Sequence, residues 1–389
     1  MEVHLSRLFS YGFRPLFLCT CAGALFFIGW WIGIVQGFLP PPDSPISALA
    51  WHGHEMLFGF VGSAIGGFLL TAVANWTRRP PVQGVALAIL LASWLSARVV
   101  ITYDLGLSAA MVMIIDAGYW ILLTLLMGRE VLAARNYRNL RIVAILAVFT
   151  LLNFIFHFDR VFGFELGSEQ AATRATMILV CVLISVIGGR IIPAFTGNWL
   201  RMRHGPGTKM PAAFGVVDQA AIGLTIATGL AWTLFPLHLA SGLLALLTGM
   251  VQLVRMARWM PHLTWPDPLV VVLHVGYAWL GIGFLLLGFS ILGAAIPVSS
   301  GLHALGVGAM AGLILAVSSR AAMGHTNRPL KAGSMLSIVF LLINLAALAR
   351  VIASITGTDL LSIAAILWIL AFLVFGIRLG PILLGPAKS

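Results

Sequence analysis

Long apolar runs, separated by short polar connections, repeat along the whole chain. Each run has about 17 or more residues, enough for a helix to cross the roughly 30 Å hydrocarbon core of a bilayer. The pattern predicts an all-α fold in one polytopic transmembrane domain over residues 1–389. The twelve predicted spans are residues 16–36, 54–76, 83–102, 107–128, 140–157, 173–193, 214–235, 237–254, 268–292, 301–323, 333–355 and 360–380.

The composition excludes several classes of protein. Of 389 residues, 60% are hydrophobic and 9% are charged, which is far from the composition of soluble domains. Twelve spans leave almost no chain for an extramembrane domain, so a soluble enzyme, a membrane-anchored enzyme with a large head and a disordered regulator are excluded. The formal net charge is +11. The cations are scattered in small groups between apolar runs, so we predict no nucleic-acid partner.

The placement of the cations predicts the orientation. With both termini in the cytoplasm, 19 of the 23 Lys and Arg residues lie on the inner side. The four on the outer side are Arg98, Arg160, Arg174 and Arg350. This positive-inside bias depends on an even number of spans and therefore supports twelve.

The second and tenth predicted spans share a pattern when aligned on His54 and His303. The matching pairs that follow are Gly59 and Gly308, Thr77 and Thr326, Arg79 and Arg328, and Pro80 and Pro329. These spans and the sixth are four apart, which predicts three four-helix units. By analogy of architecture alone, this resembles the twelve-helix catalytic subunit of haem-copper oxidases. Chance agreement between helices rich in Gly and Thr is the alternative.

Histidines at membrane depth are the main candidates for chemistry, because a buried ionisable group costs several kcal/mol and usually has a function. The predicted outer ends of the spans carry His52, His54, His157 and His303, and the inner half carries His274 and His325. About 33 Å of helix separates His303 from His325, so we predict two sites. Imidazole binds haem iron and copper. His54 and His303 share a depth and could ligate one haem. The alternative is that these histidines anchor helix ends at the membrane interface or donate hydrogen bonds in helix packing.

Polar neighbours refine this picture. His52 and His54 point about 200° apart on a helix, so both can face one metal only if the chain is extended at residues 51–53. Glu55 could support a ligand, carry protons or bind copper. Asp116 should either pair with Arg98 or Arg350 or serve a proton path. Arg190 could bind a haem propionate or anchor the inner end of its helix.

Several motifs carry a family resemblance. They are FRPLF at 13–17, WHGHEMLFGF at 51–60, LLTAVANWT at 69–77, GGRIIPAFTGN at 188–198, LHVGYAWL at 273–280 and HALGVGAMAGLILAVSSRAAMGHTNRP at 303–329. Together the motifs resemble the NnrS family over nearly the whole chain. The resemblance implies a multi-pass protein of the bacterial inner membrane, linked to denitrification and nitric oxide stress, that contains haem b and copper. It implies the same six histidines as cofactor ligands, without saying which bind haem and which bind copper.

Three functions follow from this resemblance. Our leading interpretation is an oxidoreductase that reduces nitric oxide to nitrous oxide at a histidine-ligated metal centre, with Glu55 as the catalytic proton carrier. The alternatives are a haem protein that binds or senses nitric oxide without turnover, and a haem or copper transporter. The sequence contains no nucleotide-binding motif, so electrons would come from quinol or a redox protein. The other expected partners are nitric oxide and membrane lipid.

Overall fold

The computed structural model describes residues 7–387, which form helices and turns with no β-strand. Eleven helices are long and apolar enough to cross a membrane, and Val216–Leu234 is a twelfth long helix. Asp218 and Gln219 in the first turn of that helix lower its hydropathy. The helices are α1 Phe13–Val35, α2 Ala48–Thr77, α3 Val85–Thr102, α4 Ala109–Ala133, α5 Tyr137–Phe162, α6 Ser168–His204, α7 Val216–Leu234, α8 Leu239–Ala257, α9 Pro268–Ile291, α10 Val298–Gly324, α11 Gly333–Thr356 and α12 Leu360–Leu384. The all-α, polytopic prediction is confirmed.

Polar caps set the start of α2 and correct one expectation. The hydroxyl of Ser47 accepts a hydrogen bond from the amide of Ala50 at 3.2 Å, which satisfies one free donor of the first turn. The helix therefore begins at residue 48, six residues before the predicted start at 54. Residues 51–53 are helical, so the extended conformation that would let His52 and His54 face one metal is wrong.

Two helices contain a widened, π-helical stretch at matching positions. In α2 it covers Glu55–Val61, directly after His54, and in α10 it covers Ala304–Ala311, directly after His303. Such stretches are rare and occur frequently at functional sites. The local likeness supports the sequence match between these helices. The arrangement of three four-helix units stays a prediction.

Helix α6 runs from Ser168 to His204, beyond the predicted end at residue 193. Pro193 lies inside the helix. Proline has no backbone N–H, so one carbonyl in the preceding turn loses its helical hydrogen bond. A membrane helix can continue past proline because neighbouring groups can satisfy that carbonyl. The motif GGRIIPAFTGN therefore lies on one continuous helix.

The chain divides into two compact units. The first contains residues up to Thr176, Ser318–Pro329 and the chain from Phe375 onward, and the second contains Met177–Val317 and Leu330–Val374. Residues from α2 to α5 that contribute to the candidate metal centre lie in the first unit. The prediction of a single domain over residues 1–389 stays a prediction.

Candidate metal centre

Three helices of the first unit bring together His54, Asp116 and His157. One potential ligand atom from each side chain lies within 4.8 Å of the other two, and all three residues are fully buried. Within residues 7–387, no other group of three or more His, Cys, Asp or Glu side chains has this geometry. Two of the four histidines predicted at the outer ends of the spans, His54 and His157, thus lie together with Asp116, and their metal binding stays a prediction.

Asp116 is the hub of this cluster. Its Oδ2 atom lies 2.8 Å from His54 Nε2 and 3.0 Å from His157 Nε2. Asn153 Nδ2 donates to the same oxygen at 2.6 Å. Because a carboxylate oxygen only accepts hydrogen bonds, we infer that both imidazoles carry a hydrogen on Nε2 in this arrangement.

The second oxygen of Asp116 pairs with Arg98, as one of the two sequence alternatives predicted. Arg98 Nη2 donates to Asp116 Oδ1 at 2.8 Å, and Arg98 Nη1 lies 3.0 Å from Glu55 Oε1. One guanidinium therefore bridges two buried carboxylates. An arginine at membrane depth needs such partners, because the charge would otherwise be left without compensation.

Gly59, within the π-helical stretch of α2, leaves room for this bridge. A Cβ atom at Gly59 would lie 2.6 Å from Arg98 Nη1 and 3.0 Å from Glu55 Oε2. The indole nitrogen of Trp94 donates to the Gly59 carbonyl at 3.0 Å, which holds α3 against α2. The close approach therefore depends on glycine at this position.

Glu55 also contacts His54. Its Oε1 atom lies 3.2 Å from His54 Nδ1, so both nitrogens of this imidazole face carboxylate oxygens. A neutral imidazole has only one N–H and would face the other oxygen with a lone pair. We infer that the cluster holds one further proton, on His54 or on Glu55, in the absence of another cation.

His157 has a different second partner. Its Nδ1 atom accepts a hydrogen bond from Arg160 Nη2, which leaves the hydrogen on Nε2 and selects one neutral tautomer. Asn153, His157 and Arg160 follow at intervals of four and three residues on α5, which places them on one helix face. That spacing is visible in the sequence and is the signal that could have identified Asn153 and Arg160 as neighbours of His157.

Aromatic rings enclose the polar cluster. The ring centroids of Phe58 and Phe156 lie 4.8 Å and 4.7 Å from the centroid of His54. Apolar walls lower the local dielectric constant, which strengthens the interactions between charged groups. The arrangement can hold a cation or a proton between buried acidic and imidazole groups.

His52 lies outside this cluster. Its ring stacks on Trp31, with centroids 4.3 Å apart and an interplanar angle of 11°. The helical start of α2 turns it away from the side occupied by His54. Metal binding by His52 stays a prediction.

His303, His274 and Arg190 lie in the second unit. His303 Nδ1 lies 2.7 Å from the Ser299 carbonyl and must donate to it, so its Nε2 atom carries the lone pair. His274 is 3% exposed. Its Nε2 atom lies 2.9 Å from Thr196 Oγ1. Arg190 is half-buried on α6, and its contact with a propionate stays a prediction.

The hydrogen bond of Thr196 fixes the tautomer of His274. The threonine hydroxyl donates to the Ile192 carbonyl at 2.9 Å, so it accepts from His274 Nε2. His274 Nδ1 is then a buried acceptor, and it has no hydrogen-bond partner. A buried lone pair without a donor is unfavourable, so this atom is available to a ligand.

His325 belongs to the first unit and packs against aromatic rings. Its ring centroid lies 5.5 Å from that of Tyr11 and 5.8 Å from that of Phe13. Two of the motifs quoted above, FRPLF and the segment GHTNRP, therefore meet here. A shared site of His274 and His325 stays a prediction.

Comparison with known proteins adds the family. No curated protein matches the chain. The family model described as NnrS protein matches residues 7–387, which includes every motif quoted above and every residue of the cluster. The chain therefore belongs to the NnrS family, and it is a multi-pass membrane protein linked to the nitric oxide response.

Proposed function

We propose that this chain is a haem- and copper-binding protein of the bacterial inner membrane that reduces nitric oxide to nitrous oxide. The observation that carries the proposal is the buried group of His54, Asp116 and His157. Two imidazoles and one carboxylate are ligands that first-row transition metals accept. Buried groups of this kind are expensive in a membrane and are usually functional.

The charge of the cluster supports a bound cation. Glu55 and Asp116 each contribute one negative charge, and Arg98 contributes one positive charge. Before any histidine is protonated, these three groups have one negative charge in excess. Arg160, which contacts His157, adds one positive charge, and the carboxylate of Glu169 lies close enough to act on it. A metal ion could replace the extra proton inferred above, once the two Nε2 atoms give up their hydrogens.

Copper is the metal we favour. The set of donors suits copper and also non-haem iron, and the family resemblance implies copper. Binding through His157 Nε2 would move the ring hydrogen to Nδ1, so Arg160 would have to release its hydrogen bond to that atom.

Haem b fits His303 better than His54. His303 donates through Nδ1 to a backbone carbonyl, the common arrangement of a metal-ligating histidine whose other nitrogen binds the metal. Both nitrogens of His54 face carboxylates instead. His274, with its unpartnered Nδ1 atom, is a second candidate ligand.

Glu55 is the residue we assign to proton delivery. Two nitric oxide molecules, two electrons and two protons give one nitrous oxide and one water, so the site needs a proton carrier. Glu55 contacts His54 and is held in place by Arg98. Electrons would come from quinol or a redox protein, and the bound metals would pass them to nitric oxide.

Metal analysis and optical spectra of the purified protein test the proposal. Asp116→Asn and His157→Ala should lose copper and keep haem, whereas His303→Ala should lose haem absorbance and keep copper. His262→Ala is the matched control, because His262 is exposed in a turn, and it should keep both cofactors. Full copper retention in both cluster variants would refute the metal assignment. A fully loaded protein without turnover would favour nitric oxide binding or sensing.

A further inference from the structure

Three segments of the first unit bring cationic side chains together at the ends of helices. Arg7 precedes α1, Arg14 lies in its first turn, and Arg328 follows the end of α10. With alternating spans, the start of α1 and the ends of α10 and α12 lie on the same side, predicted above to be cytoplasmic. We call these three arginines the basic end cluster.

Carbonyl groups in the last turn of α12 and directly after it accept hydrogen bonds from two members of this cluster. Arg14 Nη1 donates to the carbonyls of Leu383 and Gly385 at 2.7 Å and 2.8 Å. Arg328 Nη1 donates to the next carbonyl along the chain, that of Pro386, at 3.4 Å. The two guanidinium groups therefore lie beside the same short segment.

The positive charge of the basic end cluster lacks a carboxylate partner in residues 7–387. Arg7 and Arg328 are close enough to repel the charge of Arg14. No Asp or Glu within that range forms an ion pair with any of the three. Other buried arginines have such partners, as Arg98 has Asp116 and Arg255 has Asp218. Carbonyl dipoles at a helix end compensate only part of a full charge.

Arg14 also has an unused donor. The residue is 6% exposed, and its Nε atom is buried without a hydrogen-bond partner. A buried donor in this state is unfavourable. Together with the uncompensated charge, this points to an anionic ligand with oxygen acceptors.

We propose that the basic end cluster binds the phosphate headgroup of an anionic lipid. Guanidinium groups bind phosphate oxygens through charge-assisted hydrogen bonds. The cluster lies at helix ends, which is the depth of lipid headgroups in a bilayer, and cytoplasmic basic pockets between membrane helices are known to bind such groups. A soluble anion such as free phosphate has the same chemistry, so the test must distinguish the two sources.

Lipid binding to the full chain tests this proposal. Delipidated protein in detergent is titrated with phosphatidylglycerol and, separately, with phosphatidylcholine, and bound lipid is counted by native mass spectrometry. Arg7→Gln and Arg328→Gln should each weaken phosphatidylglycerol binding about fivefold, from roughly 1 kcal/mol per arginine near an anionic surface. Phosphatidylcholine binding should not change. Arg14 is left intact, because it holds the chain after α12.

The matched control is Arg138→Gln, which changes an exposed arginine in the first turn of α5 and should bind phosphatidylglycerol like the unmodified chain. Thermal midpoints of all variants are compared to show that the fold is retained. An equal loss of binding in the control, or no loss in the cluster variants, would overturn the proposal. Displacement of the lipid by millimolar inorganic phosphate would also overturn it, because the site would then be specific for a free anion.

Discussion

Replacing Gly59 by alanine should break the Arg98 bridge with a single methyl group. The new Cβ atom would lie 2.6 Å from Arg98 Nη1, whereas ordinary contacts begin at 3.4 Å. The guanidinium must therefore retreat by 3.4 − 2.6 = 0.8 Å. The atom that must move, Nη1, pairs with Glu55 at 3.0 Å. The guanidinium is planar and rigid, so the shift also disturbs the 2.8 Å contact of Nη2 with Asp116.

The loss of stability in Gly59→Ala follows from the burial of the charges. Removing one partner from a buried ion pair costs about 3–5 kcal/mol, and alanine in a helix recovers about 1 kcal/mol relative to glycine. The free energy of unfolding should therefore fall by about 2–4 kcal/mol. Gly53→Ala is the matched control, because its Cβ atom would meet only Thr173 Cγ2 at 3.6 Å. That variant should be as stable as the unmodified chain or slightly more so.

Reversible unfolding in detergent mixtures, followed by circular dichroism, gives the free energy of unfolding of both variants. Copper content of the folded variants gives a second readout, which should fall in Gly59→Ala alone if the bridge orients Asp116. Equal stability of Gly59→Ala and Gly53→Ala would refute the reasoning, because it would show that the Arg98 bridge contributes little.

Three further predictions concern other parts of the chain. Glu55→Gln keeps size and hydrogen bonding but carries no proton, so it should retain both metals and lose most nitric oxide consumption; unchanged turnover with an added electron donor would remove Glu55 from the mechanism. Gly189→Ala would place a Cβ atom in steric clash with Nη2 of the fully buried Arg255, so its thermal midpoint should fall well below that of the control Gly223→Ala, whose Cβ atom meets nothing within 4 Å. Burial lowers the pKa of His325 from its ordinary value of 6.5, so the unfolded chain binds more protons and stability should fall as pH drops through 6.5. His325→Phe should remove that part of the pH dependence, and an unchanged profile would contradict it.

The number and length of the helices could be predicted from the sequence. A bilayer imposes one length on every spanning helix, so an apolar run of that length is sufficient evidence. Helix ends were less predictable. The cap at Ser47 and the proline inside α6 shifted two boundaries by several residues, because local polar groups decide where a helix starts and stops.

The histidines could also be identified from the sequence as candidate functional residues, because an imidazole at membrane depth is energetically costly and usually has a function. Helical periodicity then separated His52 from His54. Periodicity relates residues on one helix only. It could not show that His54 and His157 meet on a shared oxygen of Asp116, 62 and 41 positions away from them along the chain.

Only the tertiary structure decided which partners each nitrogen has. Contacts between helices depend on how side chains of distant segments pack, and a sequence pattern within one segment carries no information about that packing. Asp116 could have paired with Arg98 or Arg350, or served a proton path, and only the packing of α3 against α4 showed its pairing with Arg98. The choice of tautomer at His157, His274 and His303 likewise follows from a single neighbouring hydrogen-bonding group in each case, because the position of one ring hydrogen is set by the atom it faces.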